Sequence, residues 1–378
     1  MLCQHAFTHH FSIPAPLTMA TTSYESNKNE YLLGFASTQQ NRPEQEQALP
    51  INPQRHENPY GVVMVDAAAD ISSAMAQHPR LRVLPLAIQW PGRTFLDKGL
   101  REKRGELRHL GRERLRTAQI AAPSVEGLEY RLYPNIAVNA DWLIYIGSMR
   151  ALNDPAAALQ TLLLQHLEEI HELRRSRGLP PELQVLCLDG GSMLSGPALQ
   201  ARILLKQLDA GEPVNHVAQT AAQISSMTRQ WLVPRYPGDM AATLSRLADP
   251  ALSPWVQACS SGIHKLWNPY PVLSSQPDGL HCMTRAKRWR TAVAAVFERA
   301  EQSLQEGGVQ GTSMQISFDG GIRELQAWPE FARLRQQADR MQVRLHVTHM
   351  SLAGRIWASP GSLSLALVQS PANPGRSV

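Results

Sequence analysis

The chain has 378 residues, of which 43% are hydrophobic and 18% charged, and its formal net charge is +5. This length can bury a sizeable core in two domains, and the small positive charge does not by itself imply a polyanionic partner such as a nucleic acid. No apolar run is long enough to span a bilayer, and the first residues lack the basic region and apolar core of a signal peptide.

The cysteines show none of the paired spacing of a disulfide framework. They are Cys3, Cys187, Cys259 and Cys282. This usage favours a reducing cytoplasm over a secreted location. The histidines that follow Cys3 match no standard metal-ligand spacing, so we predict no metal site.

The first 58 residues are rich in Gln, Asn, Ser, Thr, Glu and Pro and have almost no periodic apolar pattern. We therefore predict a disordered extension over residues 1–58. Strand-like and helical runs alternate from residue 59 onward, which predicts an N-terminal α/β lobe with a parallel sheet over residues 59–212. Its predicted strands are residues 62–65, 82–89, 142–146 and 184–188, and its clearest predicted helices are residues 156–177 and 197–208.

The second half combines hairpin signals with crossover helices, which predicts a mixed-sheet α/β lobe over residues 213–378. Its predicted helices are residues 213–228, 285–305 and 329–341. Its predicted strands are residues 230–234, 270–274, 280–284, 314–318, 343–348 and 363–368.

A strand that ends at an aspartate and continues into very small residues recurs in both halves. Asp66 precedes three alanines, and Asp189 and Asp319 each precede two glycines. Ligands of parallel sheets bind outside the carboxyl ends of the strands, so we expect a ligand site at these turns. We predict that Asp66 and Asp189 support their turns by hydrogen bonds to backbone N–H groups.

The chain contains no GxGxxG, Walker, HExxH or GxSxG motif, so no catalytic residue and no cofactor is predicted. The two Asp-Gly-Gly turns have two interpretations: they could bind an anion through backbone N–H groups, or they could simply be tight turns. Hydroxyl and small residues also occur at several predicted strand ends, within residues 66–70, 117–124, 147–148, 189–192 and 359–361. Such groups can hold a carboxylate or phosphate head and suit binding rather than covalent chemistry.

The order of these elements resembles the DegV family of bacterial fatty-acid-binding proteins. Residues 63–71, VMVDAAADI, are similar to the opening strand and DSTAD-like turn of the family. Residues 117–124 resemble its TSQPS-like loop, residues 144–148 its serine-bearing strand and residues 352–365 its terminal turn. The resemblance covers about residues 60–370, and it lies in the order of many weak motifs.

The resemblance implies a two-lobe α/β fold that encloses an apolar cleft and binds a long-chain fatty acid or related lipid in an inter-lobe tunnel. Such a protein would not be an enzyme, and it would transport the lipid or present it to a fatty acid kinase. The implied lipid head-group residues are Thr117, Ser124, Ser148, Ser359 and Gly361, with either Thr117 or Ser124 joining Ser148 at the carboxylate. Ser148 could instead be a capping or turn residue, and Ser124 could be a helix N-cap.

The chain also departs from the family pattern, since two hydroxyls of the DSTAD-like turn are replaced by Ala67 and Ala68. The tail could still dominate affinity, because each buried methylene contributes about 0.8 kcal/mol. Two other functions remain open: an enzyme or enzyme component that binds a small anionic metabolite at the Asp-Gly-Gly turns, and a degenerate scaffold without ligand. The basic segment at residues 98–116 could meet an acidic partner or anionic lipid heads, or could simply be a solvated helix face. The similar cluster at residues 285–290 could meet the kinase that the resemblance allows, or could also be a solvated surface.

Overall fold

The structure is a computed structural model that describes residues 59–97, 99, 110–125, 128, 135–240, 243, 270–276, 279–306, 309 and 312–369. All of these belong to one structural unit, Ile51–Val378. The prediction for residues 1–58 and most of the basic segment at residues 98–116 lie outside the described residues.

The strands come first. They are β1 (Gly61–Asp66), β2 (Leu81–Leu84), β3 (Leu86–Trp90), β4 (Arg93–Asp97), β5 (Gln119–Ala121), β6 (Trp142–Gly147), β7 (Gln184–Asp189), β8 (Thr228–Val233), β9 (Tyr270–Gln276), β10 (Gly279–Ala286), β11 (Ser313–Phe318), β12 (Arg344–His349) and β13 (Leu363–Val368).

The helices follow the same chain order. They are α1 (Ser73–Ala76), α2 (Arg112–Arg116), α3 (Asn135–Asn139), α4 (Pro155–Gln165), α5 (Leu167–Ser176), α6 (Ser195–Asp209), α7 (Val214–Met227), α8 (Trp289–Gln305), α9 (Ile322–Gln326), α10 (Pro329–Arg340) and α11 (Leu352–Ala358), with a 3₁₀ turn at Pro237–Met240.

The first sheet has the order β2-β1-β6-β7, and all its strands are parallel. Every residue of β1 is buried, as expected for a central strand that is covered on both faces. The predicted parallel-sheet lobe is therefore confirmed.

The second sheet has the order β10-β9-β8-β13-β11-β12. Only β11 and β12 pair in parallel, and the other neighbours are antiparallel, so the predicted mixed sheet is also confirmed.

A small antiparallel sheet with the order β4-β3-β5 was not predicted. The prediction of one continuous strand over residues 82–89 was wrong, because Pro85 separates β2 of the first sheet from β3 of the small sheet. Proline has no N–H to donate to a ladder, which makes it a natural point for the chain to leave a sheet.

Two predicted helices also needed correction. The helix over residues 156–177 is two helices, α4 and α5, because the backbone of His166 leaves helical geometry at φ −107° and ψ 16°. The helix predicted to begin at residue 285 begins at Trp289, because β10 continues to Ala286.

Helix α6 lies between the two large sheets. Ala198, Ala201 and Leu205 pack in one cluster with residues of β1 and β6, while Leu199 packs with Ala366 of β13. The helix contacts β1 and β6 on one side and β8, β11 and β13 on the other. A single helix therefore belongs to the cores of both sheets.

Helix α7 packs in the same cluster as β1 and α6, through Val214, Val217 and Ala221. The predicted lobe boundary between residues 212 and 213 stays a prediction. No helix within the described ranges combines the length and apolar character needed to cross a membrane.

Candidate functional site

The turn after β1 is tied to the end of β6 by one buried carboxylate. Asp66 Oδ1 accepts hydrogen bonds from Ala68 N at 3.0 Å and from Ser148 Oγ at 3.1 Å, and Oδ2 accepts from Ser148 N at 2.6 Å. Burial raises the pKa of Asp66, and the hydrogen bonds from Ser148 and from the turn oppose that rise. Asp66 thus makes the backbone contacts that a turn-supporting aspartate requires.

The hydrogen bonds to Asp66 hold Ser148 in place, so its side chain does not face open space. It is buried, and its hydroxyl donates its one hydrogen to Asp66. A ligand carboxylate can only accept hydrogen bonds, so in this conformation the Ser148 hydroxyl cannot donate to one. The geometry therefore favours the alternative in which Ser148 is a turn residue, and its role in binding a lipid head group stays a prediction.

The turn after β7 uses its own N–H groups internally. Asp189 Oδ1 accepts from Gly191 N at 2.9 Å, and Gly190 N donates to Gly147 O at 2.9 Å. A Cβ atom on Gly190 would lie 2.4 Å from Gly147 O, so this approach of β6 and β7 requires glycine. Neither N–H group is left to bind an anion, which favours the tight-turn interpretation of this Asp-Gly-Gly segment.

Thr117 and Ser124 lie on the surface. Thr117 Oγ1 donates to Arg114 O at 2.9 Å, at the end of α2. The carbonyl of Ser124 accepts from Leu128 N at 3.2 Å, the bond that an N-cap carbonyl makes to the first helical turn. The head-group roles of these two residues also stay predictions.

Ser359 and Gly361 belong to the turn between α11 and β13. Ser359 has a positive φ of 75°, and its buried Oγ accepts from Tyr236 N at 3.0 Å. Gly361 has a φ of 78° and donates from its N to Asp319 Oδ2 at 2.9 Å. The same carboxylate oxygen accepts from Arg355 Nε at 3.0 Å, so Asp319 fixes both the turn and the arginine.

A cavity of about 80 Å³ opens beside this turn. Its polar lining is Arg116, Gln119, Asp239, Thr243, Arg355 and Ser359. Its apolar lining includes Leu115, Ala118, Ile120, Leu152, Ile356 and Trp357. The volume is well below the roughly 300–1,000 Å³ of small-molecule pockets, so it could hold a head group but not a long acyl chain.

Arg355 and Asp239 were not among the predicted site residues. Asp239 accepts from Arg112 Nη2 at 2.8 Å and lies 3.4 Å from Arg116 Nε. The only sequence signal for Arg355 was its position inside the segment that resembles the terminal turn of the family, since its partner Asp319 lies far away in sequence.

The predicted apolar cleft coincides with a buried cluster that receives side chains from the second sheet, from the small sheet and from the turns that follow strands of the first sheet. We call it the inter-sheet cluster. Its members are Ala67, Ala68, Leu86, Ile88, Leu115, Ala118, Ile120, Met149, Leu152, Met193, Leu194, Leu232, Met240, Leu273, Leu280, Met350, Leu352, Ala353, Trp357 and Ala358.

The inter-sheet cluster is packed rather than open. Each member is at most 8% exposed, and most are fully buried, so side chains fill the place where a tunnel would run. Four members are methionines, Met149, Met193, Met240 and Met350, which come from different segments of the chain. Methionine is unbranched and flexible, so this core can rearrange more readily than one built of β-branched residues.

No group of three or more potential metal ligands occurs among the residues that the structure describes. The described cysteines, Cys187 and Cys282, are both free.

Comparisons with known proteins identify other proteins that are similar to this chain in sequence or in fold. No family model matches the chain. A DegV domain-containing protein of Xanthomonas campestris pv. campestris is 20% identical over 315 residues, which cover 82% of this chain and 97% of the relative.

Several solved structures share the architecture. The fatty acid kinase B3 protein of Streptococcus pneumoniae, loaded with linoleic acid, superposes with a TM-score of 0.61 at 16% identity and covers 82% of this chain and 100% of its own. A Thermotoga maritima protein described as revealing a fatty acid binding function gives 0.58 at 13% identity, with 83% and 100% covered. A fatty-acid-binding DegV family protein of Thermus thermophilus gives 0.56 at 16%, with 82% and 100% covered. The chain thus has the DegV fold, and the predicted resemblance is confirmed.

Proposed function

We propose that this divergent member of the DegV family binds a long-chain fatty acid, with the hydrocarbon tail lying within the inter-sheet cluster. The observation that carries the proposal is this cluster: a continuous apolar region, contributed by the second sheet, the small sheet and the turns at the carboxyl ends of the first sheet's strands. Structural neighbours from Streptococcus pneumoniae and Thermotoga maritima, which are described with bound fatty acid or a fatty acid binding function, support it.

Binding requires the cluster to open, because the closed arrangement leaves no space for a tail. The four methionines are the side chains that can move at least cost, since they have several accessible rotamers. Each tail methylene that is buried contributes about 0.8 kcal/mol, which offsets the packing energy that these side chains give up when they separate.

The carboxylate head group is placed, in this proposal, at the cavity beside the α11–β13 turn. Of the five predicted head-group residues, Ser359 lines this cavity, together with Arg355 and Arg116. Each arginine already pairs with a carboxylate, Arg355 with Asp319 and Arg116 with Asp239, so the two guanidinium groups would offer the head group hydrogen-bond donors rather than unpaired charge.

The biological role that follows is carriage rather than catalysis. The chain would transport the fatty acid or present it to a fatty acid kinase, and it would act in the cytoplasm. The free thiols of Cys187 and Cys282 support a reducing compartment.

A second function, a scaffold that has lost its ligand, is favoured by two observations. The inter-sheet cluster is filled, and the turn after β1 carries Ala67 and Ala68, both fully buried, where the family has hydroxyls.

Native mass spectrometry of the purified full chain separates the two functions. Fatty acid binding predicts a co-purifying acyl chain, or saturable uptake of added oleic acid at one molecule per chain. A chain that neither retains nor takes up any fatty acid would eliminate the carrier function and leave the scaffold.

A second experiment restores the missing hydroxyls. Because the head group is proposed at the cavity, which Ala67 and Ala68 do not line, the double variant Ala67→Ser and Ala68→Thr is not expected to bind oleic acid more tightly than the parent, measured by displacement of a fluorescent fatty acid. Several-fold tighter binding would move the head group to the turn after β1. The matched control is Ala69→Ser, because the family also has alanine at that position. Equal affinity in all three proteins would show that these positions do not face the head group.

A further inference from the structure

A group of basic side chains comes from α6 and from the edge strand β12 of the second sheet. Arg202 and Lys206 are four residues apart on α6, and Arg344 and His346 alternate on the edge strand β12. Residues at these spacings share one face of a helix and one face of a strand respectively. We call these four residues the basic site.

Contacts through β11 bring the two faces together. Gln315 is the register partner of His346, and its Oε1 lies 3.5 Å from Arg202 Nη2. Lys206 Nζ donates to Thr312 Oγ1 at 2.8 Å, immediately before the first residue of β11. The basic site therefore lies where β11 and β12 begin, whereas Asp319 and the cavity follow the point where β11 ends.

The basic site has no counter-ion among the residues that the structure describes. Within the described residues, no carboxylate lies within ion-pair distance of Arg202, Lys206 or Arg344. Arg202 is partly buried, and its Nε is buried without a hydrogen-bond partner. A buried guanidinium with an unsatisfied donor is costly, and folded proteins normally offset that cost with a carboxylate.

Two pKa shifts agree with this geometry. Burial lowers the pKa of Arg202, and no acidic neighbour opposes the change. Burial, Arg202 and Arg344 together lower the pKa of His346 to about 4, so its ring is neutral at pH 7. A neutral imidazole can still donate one N–H hydrogen bond without adding to the repulsion between the arginines.

We propose that the basic site binds a tetrahedral oxyanion of the phosphate or sulfate class. Arg202 would donate from its Nη atoms, because its Nε has almost no accessible surface, and its charge would attract the oxygens of such an anion. Arg344 and Lys206 supply further positive charge, and His346 supplies a neutral donor. The site is separate from the proposed lipid site, so it does not depend on fatty acid binding.

The test is a titration of the full chain with sodium sulfate, with sodium chloride at matched ionic strength as the control titration. Binding is measured by calorimetry and by the NMR signals of the His346 ring. Saturable sulfate binding that shifts the His346 signals is expected. Arg202→Gln should weaken that binding at least tenfold, and Arg344→Gln, a change at an exposed position, should weaken it several-fold.

The control is Arg335→Gln, which removes the same charge from an exposed position on α10 and should leave sulfate binding unchanged. Inorganic phosphate and glycerol phosphate are titrated separately. The one that binds more tightly shows whether the site prefers a free anion or an esterified one. Non-saturable binding, or equal affinity in the parent, Arg202→Gln and Arg344→Gln, would overturn the proposal. Because Arg344 lies on the exposed strand edge, its variant keeps the test valid if Arg202→Gln fails to fold.

Discussion

Single carboxylates organise the turns of this protein at the scale of the residue. Asp66 joins the ends of β1 and β6, and Asp319 joins Arg355 to the turn at Gly361. In both cases one side chain accepts several hydrogen bonds from groups that would otherwise be buried without partners, which costs about 1–3 kcal/mol for each group. The positions predicted to touch a ligand are thus largely occupied by internal contacts.

Ser148→Ala separates the internal role from the ligand role. It removes the hydroxyl that donates to Asp66, so the free energy of unfolding in urea should fall by about 1–3 kcal/mol. If Ser148 acts only on the turn, oleic acid affinity per folded molecule stays unchanged. Thr117→Ala is the control, since its exposed hydroxyl should change the unfolding free energy by less than about 0.5 kcal/mol. A loss of affinity in Ser148→Ala without a loss of stability would restore the head-group role.

At the scale of the element, the spacing of strands depends on single glycines at their ends. Gly190→Ala should destabilise the chain by about 2 kcal/mol or more, because its Cβ would meet the backbone oxygen of Gly147, which cannot move without separating β6 from β7. Gly111→Ala is the control, because no atom lies within 4 Å of its added Cβ and its φ is negative. Thermal unfolding followed by circular dichroism measures both variants. Equal melting temperatures would show that the β6–β7 approach is looser than the structure indicates.

The sequence predicted most elements that are apolar and bounded by turn residues, and it missed β4 and the helical character of α11. β1 and β7 were predicted because each is a short apolar run that ends at an aspartate. β4 was missed because its first residues, Arg93 and Thr94, are exposed and polar. α11 was missed as a helix because its seven residues are nearly all buried, so it has no amphipathic pattern.

The site was less predictable than the fold. The order of strand ends indicated where ligand-facing turns would lie, but a hydroxyl in the sequence does not reveal whether it already has a partner. The pairing of Asp319 with Arg355 and the meeting of Arg202 with His346 both depend on packing between distant segments, and no local pattern encodes either.

At the scale of the whole molecule, we expect α6 to make the two large sheets unfold as one cooperative unit, because it packs in the cores of both. Leu205→Ala, on the side of α6 that faces the first sheet, should lower the free energy of unfolding by about 2–5 kcal/mol. Leu334→Ala, in the separate cluster of α10 and the second sheet, should have a similar effect. In native-state hydrogen exchange, each variant should lower amide protection in β1 and β11 by equal amounts. Loss of protection in one sheet alone would show that the two unfold independently.

The methionines of the inter-sheet cluster have a chemical consequence beyond packing. While the cluster is closed, their sulfur atoms are shielded from peroxide, and any opening that admits a hydrocarbon chain must also expose them for a time. Conversion to the sulfoxide would place polar oxygen in an apolar interior and hinder reclosure. The rate at which these thioethers oxidise therefore measures how often the cluster opens, and a bound tail should lower that rate.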